Sequence, residues 1–288
     1  MQRVAVVTGA SSGIGAATAR LLAARGWRCV LLARREELLQ ALTREVGGEY
    51  EVCDVADRLA VERTAARVLD RHPKIELLVS NAGIPARTTF VDGDPDAIEN
   101  VMRTNYLGSV WCLRAFLPGL EAAAPAHVVN VVSVAGTVAF APSGPYSASK
   151  HAQLAFSRAT AAQLQRRGVR VHTVKPGFVE TEGFPQGRLP RVLRSLVVGP
   201  EAIAAHIVTS VERGRGETTV PRYYGVASAA QALAPNVVRR LLARSGGRSR
   251  IDSSWRPSRP PTPSPSPSSG QRCASSCAAR SGSRASRA

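Results

Sequence analysis

Short, almost wholly apolar runs alternate along this chain with longer segments in which apolar residues recur every three to four positions. The apolar runs are rich in Val, Leu and Ile, which is typical of strands buried on both faces of a sheet. They predict strands at Val4–Thr8, Cys29–Ala33, Tyr50–Asp54, Ile75–Ser80, His127–Ser133, Val169–Lys175 and Thr218–Pro221. The periodic segments predict helices at Ile14–Arg25, Glu36–Val46, Arg58–His72, Pro95–Leu120, Tyr146–Arg167 and Glu201–Arg213, with one or two more within Tyr223–Arg244.

This alternation of strand and helix predicts successive βαβ units. We therefore expect an α/β fold of the Rossmann type, a doubly wound parallel β-sheet of about seven strands with helices on both faces. With 44% hydrophobic positions, the chain can bury a full core as one domain. Ligands of such folds bind at the carboxyl ends of the strands, so the residues that follow each strand are the first candidates for a site.

Residues 245–288 depart from this pattern. The segment consists mainly of Ser, Pro, Arg, Gly and Ala, with Trp255 as its aromatic residue and Ile251 as its branched aliphatic residue. Such a composition cannot bury enough apolar area to offset the entropy lost on ordering. We expect a folded domain over residues 1–244 and a basic, disordered tail over residues 245–288.

The net charge of +17 is unevenly distributed. The tail holds eight Arg and one Asp, a net +7, which leaves +10 for residues 1–244. A basic body suits an anionic ligand such as a dinucleotide or an acyl-CoA, although a solvated arginine-rich surface gives the same count. The tail has neither interleaved aromatic residues nor a known nucleic-acid module, so we expect no specific nucleic-acid partner.

The cysteines indicate a reducing compartment. There are five, at positions 29, 53, 112, 273 and 277. An odd count at scattered spacing argues against a disulfide framework, and neither the cysteines nor the five dispersed histidines form a metal-binding pattern. The first predicted strand begins close to the N-terminus, and no apolar run is long enough to span a membrane. We expect a soluble, cytoplasmic protein without a bound metal.

A glycine-rich turn, Thr8-Gly9-Ala10-Ser11-Ser12-Gly13-Ile14-Gly15, joins the first strand to the first helix. Glycines allow a tight turn and close approach of the backbone to a pyrophosphate, and the helix N-terminus offers it unpaired N–H groups. A glycine motif is meaningful in this strand–turn–helix context. The spacing TGxxxGxG, rather than GxGxxG, resembles that of the short-chain dehydrogenase/reductase family in its compact single-domain branch.

Further motifs of that family occur in the expected order. They are Asn81-Ala82-Gly83 after the fourth strand, Asn105 in the fourth helix, Ser133 at the end of the fifth strand, Tyr146-Ser147-Ala148-Ser149-Lys150 as the YxxxK signature, and Pro176-Gly177 with Thr181 after the sixth strand. Together they span most of the predicted domain, and their conjunction is far more specific than any one of them.

The spacing of Tyr146 and Lys150 has a chemical reason. Residues at i and i+4 project from the same face of a helix. A free tyrosine has a pKa near 10, and a neighbouring ammonium favours the phenolate. Tyr146 can then give a proton to a carbonyl or take one from an alcohol, and Ser133 can stabilise the charge on the same oxygen. The resemblance further implies that Lys150 binds the nicotinamide ribose and that Asn105 holds a water linked to Lys150.

Cofactor choice is predicted from the end of the second strand, which reads Ala33-Arg34-Arg35. Relatives that prefer NAD carry an acidic residue there for the ribose 2′-hydroxyl, whereas Arg34, with Ser11 and Ser12, can bind the 2′-phosphate of NADP. A solvated start of the next helix is the alternative. The resemblance implies further cofactor contacts: Asp54 and Val55 at the adenine, Asn81, Ala82 and Gly83 along the adenosine ribose, Lys150 at the nicotinamide ribose, and Val179 and Thr181 at the carboxamide. The other expected cofactor-binding residues are Gly9, Gly13, Ile14 and Gly15 of the first turn, with Tyr146, Pro176 and Gly177.

The predicted function is therefore an NADP(H)-dependent oxidoreductase that interconverts a carbonyl and an alcohol on a hydrophobic small molecule. The longer epimerase and dehydratase branch has another glycine spacing. A non-catalytic NADP-sensing regulator on the same fold stays as the alternative, since fold alone does not settle function. A substrate lid is expected at Phe184–Val198, and the Tyr223–Arg244 helices could cover the cleft, join an interface or contact a membrane surface weakly. The family resemblance implies a homodimer or homotetramer.

Overall fold

A parallel sheet of seven strands forms the centre of the part of the chain that the structure describes. The structure is a computed structural model, and it describes residues 2–86, 88–181 and 196–246, all within one structural unit. Most of the predicted lid and the predicted tail from residue 247 onward lie outside these residues. The strand order is β3-β2-β1-β4-β5-β6-β7, and every neighbouring pair is parallel. The doubly wound sheet expected from the sequence is confirmed.

The strands and helices follow the predicted order. The strands are β1 Val4–Thr8, β2 Arg28–Ala33, β3 Glu49–Val52, β4 Leu77–Ser80, β5 Ala126–Val131, β6 Val169–Pro176 and β7 Glu217–Val220. The helices of the described ranges are α1 Gly13–Ala24, α2 Glu36–Val46, α3 Arg58–Arg71, α4 Pro95–Met102, α5 Gly108–Ala122, α6 Gly144–Leu164, α7 Pro200–Glu212, α8 Tyr224–Leu233 and α9 Pro235–Gly246. A strand buried on both faces needs apolar side chains at every position, which is why β1 and β4 show no alternation.

Two hydrophobic cores lie on opposite faces of the sheet. On one face, Leu22 of α1 and Ile203 of α7 pack against β1 and β4. On the other face, Phe116 of α5 and Leu164 of α6 pack against β4 and β5. Helices on both faces leave the carboxyl edge of the strands as the open edge of the sheet. Because β1 pairs with both β2 and β4, the chain reverses direction across the sheet at β1, which opens a crevice there.

The predicted long helix Pro95–Leu120 is the main difference between sequence and structure. It is two α-helices joined by one turn of π-helix, Arg103–Leu107. A π-turn inserts one residue into the helical repeat, and such turns often occur at functional sites. Apolar periodicity persists through a single inserted residue, so the sequence pattern does not show it. The turn places Asn105 inside the protein, with none of its surface exposed.

Three cysteines, Cys29, Cys53 and Cys112, are buried free thiols. Burial raises the pKa of Cys29 to about 12, so this side chain acts as a small apolar group. No helix in the described ranges is long and apolar enough to cross a membrane.

Candidate active site

The glycines of the first turn are required by close backbone contacts. Gly9 and Gly13 have φ values of 64° and 55°, in the left-handed region that favours glycine. A Cβ on Gly9 would lie 2.7 Å from Cα of Ala82, and one on Gly15 would lie 2.3 Å from the carbonyl oxygen of Gly9. The turn therefore packs directly against the loop after β4. It opens α1 with its backbone N–H groups free of side-chain caps, as anion binding at a helix N-terminus requires.

Thr8 joins the ends of β1 and β4. Its hydroxyl donates to the carbonyl of Val79 at 3.3 Å and accepts from the backbone N–H groups of Asn81 and Ala82, both at 3.0 Å. The Asn81 side chain donates in return to the carbonyls of Thr8 and Gly9, at 3.0 and 3.3 Å. This reciprocal clamp holds the glycine turn against the residues expected at the adenosine ribose. The sequence prediction did not include Thr8 as a site residue, although it opens the TGxxxGxG motif.

The end of β2 places two arginines differently. Arg35 donates to the Ser11 hydroxyl at 3.0 Å and to the Ser12 hydroxyl at 2.6 Å. The Arg34 guanidinium lies 3.6 Å from the Asp54 carboxylate. The sequence named Arg34 as the partner of a 2′-phosphate, whereas it is Arg35 that sits over the serines of the turn. Both side chains are exposed at the rim of the crevice.

Other predicted cofactor residues gather at the same edge. Thr181 packs on the first turn, since a Cβ on Gly13 would lie 3.1 Å from its methyl group. Val179 is buried and forms a parallel bridge with Val198. Val55, however, is buried against Gly108 of α5, while Asp54 beside it stays partly exposed. Asp54 is thus better placed than Val55 to meet a ligand.

Tyr146 and Lys150 lie one turn apart on α6, facing β5. Lys150 is 4% exposed, and its Nζ is 5.8 Å from the centre of the Tyr146 ring. The ammonium donates to the carbonyl of Val131 at 3.2 Å and to Oε1 of Gln153 at 2.8 Å. Burial without a carboxylate partner lowers the pKa of Lys150 to about 7. A Cβ on Gly83 would lie 3.6 Å from Nζ, so the loop after β4 passes directly over the ammonium.

Ser133 faces Tyr146 from the turn that follows β5. It caps a short 3₁₀ turn, accepting from the Ala135 N–H at 3.1 Å, and its hydroxyl also lies 3.5 Å from the Pro176 carbonyl. Burial raises the pKa of the Tyr146 phenol, and the Ser133 hydroxyl opposes that rise. The phenol is therefore protonated in the free protein, and a further positive charge would favour its ionisation.

Asn105 ties three parts of the site together. Its Oδ1 accepts from the Ile84 N–H at 2.7 Å, and its Nδ2 donates to the Ile84 carbonyl and to the Ser149 hydroxyl, each at 3.0 Å. Ser149 donates in turn to the carbonyl of Tyr146 at 2.7 Å. The π-turn thereby links the loop after β4 to the turn of α6 that carries Tyr146 and Lys150.

The sequence prediction missed residues that support the others: Thr8, Ser109, Ser149 and Gln153. A signal existed for two of them. Ser149 and Gln153 are polar residues on the face of α6 that carries Lys150, and both are fully buried. Buried polar groups need hydrogen-bond partners, so polar residues beside the catalytic spacing on a buried helix face indicate a network.

A family profile for short chain dehydrogenases matches residues 3–188, more than half of the chain. The chain belongs to this family. Dehydrogenase/reductase SDR family member 7B from Bos taurus is 34% identical over 189 residues, which cover 62% of this chain and 58% of that protein. The 3-oxoacyl-[acyl-carrier-protein] reductase from Bos taurus is 35% identical over 184 residues, covering 63% of this chain and 78% of that protein. The chain thus spans about 58–62% of the length of the member 7B proteins that it matches.

Solved structures agree with this assignment. A short chain dehydrogenase from Burkholderia cenocepacia J2315 in complex with NADP has a TM-score of 0.72 and 28% identity, covering 84% of this chain and 99% of that one. A short chain dehydrogenase/reductase from Burkholderia phymatum in complex with NAD has a TM-score of 0.74 and 25% identity, covering 82% and 95%. Proteins similar to this chain therefore bind either dinucleotide.

Proposed function

We propose that this protein is an NADP(H)-dependent oxidoreductase that interconverts a carbonyl and an alcohol. One observation carries the proposal: Tyr146, Lys150 and Ser133 meet at the carboxyl edge of the sheet, and the loop Asn81–Gly83 lies between that group and the glycine turn. The set supplies a proton donor, a cation and an oxygen-binding hydroxyl within one crevice. A non-catalytic NADP sensor on this fold would have no use for all three.

Tyr146, Ser133 and Lys150 have different roles in proton transfer. Tyr146 donates its phenolic proton to the carbonyl oxygen in reduction and takes a proton from the alcohol in oxidation. Ser133 donates a hydrogen bond to the same oxygen and stabilises the charge that develops on it. Lys150 favours the phenolate through its positive charge. The nicotinamide, when bound, supplies or accepts the hydride.

The crevice fits a dinucleotide. Gly9 and Gly15 let the first turn pack directly against the loop after β4 and against its own backbone, and the N-terminus of α1 provides N–H groups for a pyrophosphate. We propose that the 2′-phosphate of NADP binds Arg35 together with Ser11 and Ser12, with Arg34 as a second cation at the rim. Because Asp54 already lies near Arg34, we assign the larger share to Arg35.

The substrate side of the crevice is apolar. Ala135 and Val138 are buried beside Ser133, and Phe178 packs edge-on against Tyr224 with ring centres 5.8 Å apart. We propose a hydrophobic ketone, aldehyde or secondary alcohol as substrate. The reductase named among the relatives acts, by its name, on a 3-oxoacyl group, which has this character.

We also propose a cytoplasmic protein that forms a homodimer or homotetramer. The buried free thiols in the described ranges agree with a reducing compartment. A groove between α5 and α6, lined by Val110, Leu113, Ala155 and Phe156, offers an apolar surface that a second copy could cover. Light scattering coupled to size-exclusion chromatography measures the assembly.

Turnover of a panel of hydrophobic carbonyl compounds with NADPH tests the main proposal. We expect NADPH to be consumed with at least one ketone or aldehyde, and more efficiently than NADH. Tight NADPH binding by calorimetry without turnover across the panel would favour the sensor. Failure to bind either dinucleotide would contradict both functions.

A further inference from the structure

The buried ammonium of Lys150 has two fixed acceptors. One is the backbone carbonyl of Val131 at 3.2 Å, which any sequence would supply at that position of β5. The other is the side-chain oxygen of Gln153 at 2.8 Å, which depends on this residue. An ammonium has three donors, so one N–H of Lys150 is left for a further partner.

The orientation of the Gln153 amide is set by its other contacts. Its Nε2 donates to the Ser109 hydroxyl at 2.8 Å, and that hydroxyl lies 3.3 Å from the backbone carbonyl of Asn105. A carbonyl can only accept, so Ser109 gives its proton to Asn105 and must accept from Gln153. The amide nitrogen therefore faces Ser109, and the amide oxygen faces Lys150.

Within the described ranges, no carboxylate pairs with the Lys150 ammonium as Gln153 does. Tyr146, on the same helix, is a titratable group whose ring centre lies 5.8 Å from Nζ. Asp96 and Glu99 of α4, which packs against α6, are exposed. Glu217 of β7 pairs with Lys175 and Arg158 at 2.7 Å each.

The remaining elements packed against α6 complete this survey. Arg103 of the π-turn pairs with Glu99, and His172 of β6 contacts the Arg215 carbonyl. The carbonyl of Val131 belongs to β5, and Gly136, in the turn after it, approaches the backbone of Lys150. Burial alone shifts the pKa of Lys150, downward.

We propose that Gln153 is a positioning residue that holds the Lys150 ammonium in place and favours its charged form, so that one N–H is directed to the cofactor side of the crevice. This inference rests on the proposed function, because it assigns Lys150 a charged role beside Tyr146. A neutral acceptor stabilises the ammonium less than a carboxylate would, which keeps the lysine able to exchange a proton near neutral pH. Gln153 also connects Lys150 to Asn105 through Ser109, so the two predicted catalytic positions share one hydrogen-bonded chain.

Two substitutions of Gln153 by residues of similar size should shift the pKa of Lys150 in opposite directions. Gln153→Leu removes the acceptor, so the ammonium loses stabilisation. Gln153→Glu places a carboxylate against the ammonium, and an opposite charge at this distance shifts a pKa by about 1–3 units. Reduction needs the charged lysine, so the alkaline limb of the pH profile of kcat/KM should move to lower pH in the Leu variant. In the Glu variant it should move to higher pH by about one unit or more.

Ser157→Ala is the matched control. Ser157 lies one turn beyond Gln153 on α6, is fully buried and bonds to Asn130 and Thr173 rather than to Lys150. Thermal unfolding of all variants measures general damage to the helix. We expect the control to lose stability without displacing the alkaline limb, and Gln153→Leu to lose about tenfold or more in kcat/KM near pH 7.5.

The outcomes separate the inference from the proposed function. Wild-type turnover with alkaline limbs that coincide in the wild type and both Gln153 variants would overturn the role of Gln153 alone. If the Leu variant fails to fold, the Glu variant, whose side chain has the same shape as that of Gln153, provides the test. The position of the alkaline limb in its pH profile of kcat/KM then decides the role of Gln153. A wild-type protein that reduces no carbonyl would overturn the proposed function and this inference with it.

Discussion

The Nζ of Lys150 lies 5.8 Å from the centre of the Tyr146 ring, one helical turn away on the buried face of α6. The Nζ of Lys150 donates to Val131 and Gln153 rather than to the phenol, so its charge acts on Tyr146 through space. Burial raises the pKa of Tyr146 and lowers that of Lys150, because both charged forms lose water. Each residue thus compensates in part for the desolvation of the other when tyrosinate and ammonium coexist.

The first prediction concerns Tyr146→Phe. The variant should lose turnover by about 10²-fold or more, because proton transfer by a placed side chain contributes roughly 10²–10⁴. NADPH binding, measured by fluorescence or calorimetry, should persist. Tyr106→Phe is the control, since Tyr106 packs against Phe156 in the groove between α5 and α6. More than half of wild-type turnover in the Tyr146 variant, on a substrate where chemistry limits the rate, would show that Tyr146 is not the acid.

The second prediction concerns the glycine turn. Gly15→Ala should weaken NADPH binding by at least about tenfold and lower the melting temperature, because the new Cβ would meet the Gly9 carbonyl at 2.3 Å. Backbone has to move to admit it. Gly216→Ala is the control, since nothing lies within 4 Å of its Cβ position. Equal NADPH dissociation constants for the two variants would mean that the turn does not form the dinucleotide site.

Much of this site was predictable because its geometry follows from local rules. The glycine turn, Asn81 and the pair Tyr146 and Lys150 are fixed by strand ends and by helical spacing. The choice between Arg34 and Arg35 could not be predicted in this way, because the directions of neighbouring side chains after a strand depend on the conformation of the turn. The sequence favoured Arg34, and only the structure shows Arg35 on Ser11 and Ser12.

The π-turn and the hydrogen-bonded network could not be predicted for another reason. One inserted residue barely disturbs apolar periodicity, so the pattern from Pro95 to Leu120 indicates a continuous helix. The contact of Asn105 with Ser149 joins residues 44 positions apart. Such a contact depends on how α5 and α6 pack together, which a local pattern does not contain.

The third prediction distinguishes the two arginines. We expect the wild type to prefer NADPH, and Arg35→Ala to reduce the NADPH/NADH ratio of kcat/KM by about ten- to a hundredfold, since a hydrogen bond to a charged group is worth about 1.5–3 kcal/mol. Arg34→Ala should reduce it less, because Asp54 partly neutralises Arg34. Arg44→Ala, an exposed arginine near the end of α2, is the control. A wild type that favours NADH, or an Arg35 variant that weakens both cofactors equally, would contradict the assignment.

The fourth prediction concerns the basic C-terminal segment. Truncation after Gly246, where α9 ends, should leave the melting temperature and turnover nearly unchanged, because the residues beyond it lack the apolar side chains that form a core. Differential scanning fluorimetry and the carbonyl assay measure both quantities. A marked loss of either would show that the segment contributes to the fold or to the site, and the division of the chain that we propose near residue 244 would be wrong.

The last prediction concerns a pair of histidines in the sheet, His127 of β5 and His172 of β6. Nδ1 of His172 lies 2.6 Å from the Arg215 carbonyl, so this nitrogen carries the proton and Nε2 is an acceptor. Nδ1 of His127 lies 3.0 Å from that Nε2 and must donate to it. His172 has no exposed surface, and burial lowers the pKa of both imidazoles, so both rings are neutral at pH 7. Burial and the neighbouring His172 lower the pKa of His127 to about 4.

A lowered pKa of this kind makes stability depend on pH with a definite sign. Between about pH 6.5 and 4, His127 is protonated in the unfolded chain but not in the folded protein. The free energy of unfolding therefore falls as the pH falls through this window. The loss should be about 1–2 kcal/mol for a half-buried group.

His127→Gln, which keeps an amide donor, should flatten the slope of stability against pH in urea denaturation. His151→Gln, exposed on α6, should not. The carboxylate of Glu217, whose pKa its pairing lowers to about 2, adds its own loss of stability only below about pH 4.5. The same slope in wild type and His127→Gln would show that the pair is not the source of acid sensitivity.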